Sequence, residues 1–248
     1  MSNLIKSLPK RLKSGLTPAE EKLLKDIENN EETIFSEGTD IGDPKNANQW
    51  GFNRTIRAEL LHWLCTNQNI RAFISNKGIQ IFGAKIKGTL DFQAINLPFI
   101  FGLFKCSMEG VILMDAETKS LNFNESHIGS FNADELTVKG DVFLDKVNAN
   151  GEVRLLCANI SAQLSCTEAV FENPEGEAFI ADGLTVKGDV FLDEVNANGE
   201  VRLPGANISG QLSCEGAVFE NPEGKAFSAR NLKVRDDLFL DYKKLMVF

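Results

Sequence analysis

Gly188-Asp189-Val190-Phe191-Leu192, Gly199-Glu200-Val201-Arg202-Leu203 and Gly210-Gln211-Leu212-Ser213-Cys214 begin eleven residues apart and follow one pattern, G-x-V-x-L-x-x-A-x-I-x. Apolar side chains at positions three and five, then eight and ten, describe two short extended segments, each with two inward residues flanking an outward one. A helical period of 3.6 cannot hold those four positions on one face through repeated units. Eleven residues therefore form two sides of a coil, and twenty-two close a four-sided one.

The pattern extends in both directions. Residues 131–178 and 179–226 align without a gap over 48 positions with 39 identities. Unit starts fall at 77, 88, 99, 110, 119, 129, 140, 151, 162, 177, 188, 199, 210, 225 and 236, and positions three and five are apolar in all fifteen units. Two four-residue insertions, Asn173-Pro174-Glu175-Gly176 and Asn221-Pro222-Glu223-Gly224, are expected to form equivalent loops on one side of the rod. In this register Glu117 falls at a small inward position, so an outward bulge is expected between Asp115 and Ser120. Lys243 falls at an inward position too, which predicts that the regular coil fails there and leaves Leu245 to Phe248 as an apolar tail.

Small residues favour position eight, as in Ala84-Lys85-Ile86, Ala158-Asn159-Ile160 and Ala206-Asn207-Ile208. These segments resemble the A-[D/N]-L-x-x unit of the pentapeptide-repeat family over residues 77 to about 246. The resemblance implies a right-handed quadrilateral β-helix, a solenoid with about 22 residues per coil. A stack of coils has open ends that need covering, and residues 1–76 read as an N-terminal α-helical cap. Thr17 before Pro18, with Glu20 following, is a capping box that opens a helix carrying Ala19, Leu23 and Ile27 on one face. A second helix is expected from Phe52 to Thr66, grouping Ile56, Leu60, Trp63 and Leu64. Between them, Glu37 to Asn48 reads as a polar loop.

The 248 residues carry a net charge of −9. The cap balances ten basic against ten acidic side chains, whereas 129–225 holds six against seventeen. No apolar run reaches membrane-spanning length and no leader pattern is present, so the chain reads as cytoplasmic. Five cysteines without a C-x-x-C pair argue against both a disulfide framework and a zinc knuckle. Cys106, Cys166 and Cys214 sit at inward positions and read as small apolar fillers; Cys166 and Cys214 lie two coils apart, too far to bond. His127 reads as an outward surface histidine. Dinucleotide, phosphate-loop, zinc-protease and nucleophile-elbow motifs are all missing, and a solenoid of this gauge is filled by its own side chains. The reading is non-enzymatic, with no cofactor and no metal.

The candidate site is an outward column. Asp141-Val142-Phe143-Leu144-Asp145 recurs as Asp189-Val190-Phe191-Leu192-Asp193 and again as Asp237-Leu238-Phe239-Leu240-Asp241. Valine and leucine point inward, so Phe143, Phe191 and Phe239 point out, alternating with Ser165 and Ser213 and flanked by Asp141, Asp145, Asp189, Asp193 and Asp241. Exposed aromatics framed by acid suggest a protein-binding face; the competing reading has the Asn-Pro-Glu-Gly loops folded over the rings. The first expectation is a protein-interaction scaffold using this face. A second, carried by the family resemblance and the acidic charge, is a nucleic-acid mimic that occupies a type II topoisomerase or another DNA-binding protein, with a homodimer through the C-terminal tail; direct nucleic-acid binding is not expected. A third is a membrane-associated enzyme or enzyme subunit. Lys6, Lys10, Arg11 and Lys13, interleaved with Leu4, Ile5, Leu8 and Leu12, offer a weak membrane-surface contact, set against a frayed and solvated terminus.

Overall fold

The computed structural model describes residues 3–36, 42–222 and 224–247, the last three by their backbone. It is a mainly β solenoid of about seven turns with about 22 residues per coil, and every strand pair in it is parallel. Each coil contributes a strand to four stacks. The chain runs from face one (Ile79–Phe82) to face two (Lys85–Lys87), face three (Leu90–Asp91) and face four (Leu97), then returns to face one at Phe101. Ile79, Phe101, Leu121, Val142, Leu164, Val190, Leu212 and Leu238 stack in successive rungs of face one. Coils therefore take 20 to 22 residues, and 26 where an insertion is carried.

The interior is filled as the pattern requires. Up to the last unit, positions three, five, eight and ten fill one continuous core, apolar except at the buried Thr118 and Ser126, with edge-on rings at Phe92, Phe101, Phe123 and Phe131 and stacked ones at Phe171 and Phe179. Unit-opening glycines answer to close approach. A Cβ on Gly129 would sit 2.1 Å from the carbonyl oxygen of Glu109, and one on Gly188 would sit 2.7 Å from that of Ala162. The seventh residue of every unit but the last turns the chain in the left-handed region, from Gly83 and Ala94 through to Gly216 and Asn231. Only glycine enters that region without a steric cost.

Those corners correct the register. Lys105, Asp115, Glu125 and Glu135 are ten residues apart, so the unit assigned to 110 opens at Glu109, and three consecutive units have ten residues. Val111 and Leu113 point inward, and Ala116, not Glu117, takes the small inward site. The bulge expected at 115–120 is absent: Glu117–Asn122 is one strand, paired onward to Thr137-Val138 and Val142-Phe143. The slip lies one coil earlier, between Leu97 and Ile100, where Pro98 interrupts pairing to the next rung.

The cap is helical but also begins the ladders. Thr17 accepts from the Glu20 N–H, the Glu20 carboxylate accepts from the Thr17 N–H, and Pro18–Asn29 follows. Glu20 is fully buried and also bridges to Arg57 at 2.8 Å. The helix expected from Phe52 is shorter: Phe52 is exposed, Thr55–Arg57 is a strand paired with Lys85–Lys87, and the helix runs Ala58–Thr66. Thr33–Ile34 likewise pairs with Ile81-Phe82. Of the expected loop, 37–41 lie outside the described residues, while Pro44–Gln49 is a 3-10 helix. The frayed terminus is also corrected. Asn3–Ser7 and Lys10–Lys13 are short helices whose Leu4, Ile5, Leu8 and Leu12 are buried in the cap, leaving no free apolar side there for a membrane surface.

At the far end, Lys243 is exposed, but the ladder does not stop. Lys244–Val247 pairs with Val218–Asn221 as a further rung of face two, in place of a detached tail, and Phe248 lies outside the described residues. No helix among the described residues is long and apolar enough to cross a membrane.

Candidate functional site

Face one carries the expected column in register. Asn122, Phe143, Ser165, Phe191, Ser213 and Phe239 are successive partners across six rungs. Val142, Leu144, Val190 and Leu192 are buried beneath it, while Phe143 and Phe191 are half-buried and Phe239 is 40% exposed. A ring thus recurs every second rung, at a spacing of about 9.6 Å, and three rings span about 19 Å. Both insertions sit at the corner between faces two and three. Val170 and Phe179 flank one, Val218 and Phe227 the other, and Asn173 and Asn221 make matching side-chain bonds to the carbonyls of Glu177 and Lys225. That corner is remote from the column, so the loops do not cover the rings.

The flanking aspartates are not free carboxylates: each interior one is tied to the next rung. Asp145 Oδ1 accepts from the Ser165 hydroxyl and from the Thr167 N–H at 3.0 Å. Asp193 Oδ1 accepts from the Ser213 hydroxyl and from the Glu215 N–H at 2.9 Å. Asp141 and Asp189 accept from the N–H groups of Gln163 and Gln211, at 3.2 and 3.0 Å. The second oxygens of Asp141, Asp189 and Asp193 have no partner among the described residues, and Asp241 is exposed. Alternation of Phe and Ser thus has a local cause: the small serine lets the preceding aspartate reach across the rung.

Two neighbouring features were not singled out from sequence. Lys139, Lys187 and Arg235 stand exposed along the corner between faces four and one, two rungs apart, beside Asp141, Asp189 and Asp237. Their signal is the recurring Lys-Gly-Asp at 139–141 and 187–189. Towards the cap, half-buried Phe82 and Phe104 stack with centroids 4.4 Å apart; both are sixth residues of units, 22 apart.

Elsewhere the polar groups are structural. Arg154 bonds Asp134 at 2.7 Å and Arg202 bonds Asp182, and those hydrogen bonds hold both guanidinium pKa values above the ordinary one. Burial pushes the Cys106 and Cys214 thiols up to about 12 and raises Cys65 and Cys166 as well, which disfavours the reactive thiolate; Cys157 is exposed. His127 points outward as expected, its Nδ1 2.9 Å from Asn148 Oδ1. Among the described residues no three His, Cys, Asp or Glu side chains are grouped to hold a metal. No family model matches the chain, and neither a curated protein nor a solved structure matches it.

Proposed function

We propose that the chain is a non-enzymatic interaction rod that docks a protein partner along face one. One observation carries the reading: Phe143, Phe191 and Phe239 project outward in register from a straight parallel stack, each with aspartates on both sides. The rings of Phe143 and Phe191 contribute nothing to the interior, which is complete beneath them at Val142, Leu144, Val190 and Leu192. Aromatic anchors in a polar frame are the usual composition of an energetic centre in an interface. Carboxylates pinned by the next rung are already ordered, so less side-chain freedom is lost on docking. The partner surface is basic, matching a local net charge of −11 over 129–225.

Nucleic-acid mimicry has less support from this face. Its aspartate rows repeat at two rungs, about 9.6 Å, beside a row of cations, whereas a duplex carries one charge per about 1.7 Å of axis.

The test is affinity capture from the native cell with wild-type protein and with the combined Phe143→Ser, Phe191→Ser, Phe239→Ser variant. Serine is already the native choice on the intervening rungs. The variant is expected to keep its far-ultraviolet circular dichroism and to lose the captured partner. An unchanged set of captured proteins would contradict the proposal.

A further inference from the structure

The pitch of face one selects among partner conformations. Rings two rungs apart repeat at about 9.6 Å along the rod axis. A polyproline II segment has three residues per turn and rises about 3.1 Å per residue, so every third side chain returns to the same side after about 9.3 Å. Over the span of three rings, about 19 Å, it drifts from register by less than about 1 Å. An extended β-strand returns a side chain to one side every ~6.8 Å and falls out of step at the second ring. An α-helix returns every ~5.4 Å, and its four turns overrun the three rings by more than about 2 Å.

The chemistry of the face agrees with the pitch. Polyproline II segments are recognised by aromatic-lined surfaces because their conformation is already ordered before binding. Between successive rings lie the buried Ser165 and Ser213, each bonded through its hydroxyl to the aspartate of the preceding rung, so the rings alternate with small polar rungs. Gln163 and Gln211 lie on the same serine rungs, and their side-chain amides have no partner among the described residues. These are donors for polyproline II carbonyls, which make no bond within their own chain. On the side away from the Lys139, Lys187 and Arg235 row, Asp193 keeps one carboxylate oxygen free and Asp241 is exposed. These groups would pair with arginines carried at every third position.

We infer that the segment docking on face one is a basic, proline-rich polyproline II strand lying along the rod axis across Phe143, Phe191 and Phe239. The inference rests on the reading of face one as a docking surface and narrows it to one conformation and charge.

Fluorescence anisotropy with labelled (Pro-Pro-Arg)3, a nonamer about 28 Å long, tests it. The expected result is saturable binding to the wild-type chain. (Gly-Gly-Arg)3, with the same charge and no fixed conformation, should bind at least about tenfold more weakly. The combined phenylalanine-to-serine variant should bind (Pro-Pro-Arg)3 about thirtyfold more weakly. Absence of binding, or equal binding of the glycine peptide, overturns the inference, and this comparison needs no change to the protein. Should the triple variant lose its fold, Phe191→Leu, which keeps an apolar group against the sheet, replaces it, and undiminished binding there counts against the inference. If the peptides fail while the serine variant still loses its captured cellular partner, only the polyproline II assignment falls. If that variant keeps both peptide and partner, the docking face falls with it.

Discussion

Residues 131–178 and 179–226 build the same pair of coils twice, and their nine differences are confined to certain places. No inward position differs. Four of the nine are the left-handed corners themselves: Glu135, Lys146, Cys157 and Glu168 in the first copy stand where the second has Gly183, Glu194, Gly205 and Gly216. Two of the others adjoin those corners, at 156/204 and 167/215, one opens a unit at 162/210, one lies on outward face three at 132/180, and one directly follows the insertion at 177/225. Interior packing constrains every core side chain through its neighbours above and below, whereas a corner residue faces water and answers mainly to its own backbone. Asp141, Phe143 and Asp145 reappear unchanged as Asp189, Phe191 and Asp193 although the interior does not demand the ring.

The largest effect is expected from removing a copy. Excising 179–226 joins Ala178 to Phe227, reproducing the Ala226-Phe227 junction of the intact chain. A rod two coils shorter should still melt cooperatively, with several kcal/mol less stability because a pair of rung interfaces is gone. Aggregation or loss of cooperative melting would show that the copies are not equivalent.

Single core truncations come next. Leu144→Ala and Leu192→Ala should each cost about 3 kcal/mol in denaturant melts, since both side chains are 1% exposed. Leu240 has the same place in the motif on the last rung of face one, but it is 41% exposed, and Leu240→Ala should cost less than about 1 kcal/mol. Equal costs at 192 and 240 would mean that the last rung is covered.

The repeat was legible because inward positions three, five, eight and ten outnumber any accident of composition. One unit was misplaced by a residue because Val111, Ile112, Leu113 and Met114 are all apolar, so alternation alone could not say which pair points in. The deciding facts are Val111 facing Phe131 across the rung and the left-handed corner at Asp115. Ile56 fell into helical spacing with Leu60 and Leu64 by coincidence; its strand exists only because Lys85–Lys87 supplies a partner distant in sequence. In the site, the phenylalanine column followed from the spacing of 48 and 22. The tethering of the aspartates did not, since it depends on which residue occupies the same place one coil later.

Those tethers give a smaller contrast. Asp193→Ala removes bonds to Ser213 and Glu215 and should cost about 1–2 kcal/mol, while Asp241→Ala, on the last face-one rung among the described residues, should stay within about 0.5 kcal/mol. Smaller still, and opposite in sign, is the corner exchange. Glu168→Gly should raise stability by up to about 1 kcal/mol by relieving φ of 58°; its exposed pairing with Lys146 offsets little of that. Gly216→Glu should lower stability by a similar amount. A loss on Glu168→Gly would show that the corner side chain matters more than its backbone.

The docking face itself is tested most directly by photo-crosslinking in native cell extract. A benzophenone amino acid replaces either Phe191 on face one or Asn132 on the opposite face three. The account expects a defined adduct from the Phe191 position and none from the Asn132 position. Equal adducts from both faces, or an adduct from face three alone, would contradict it.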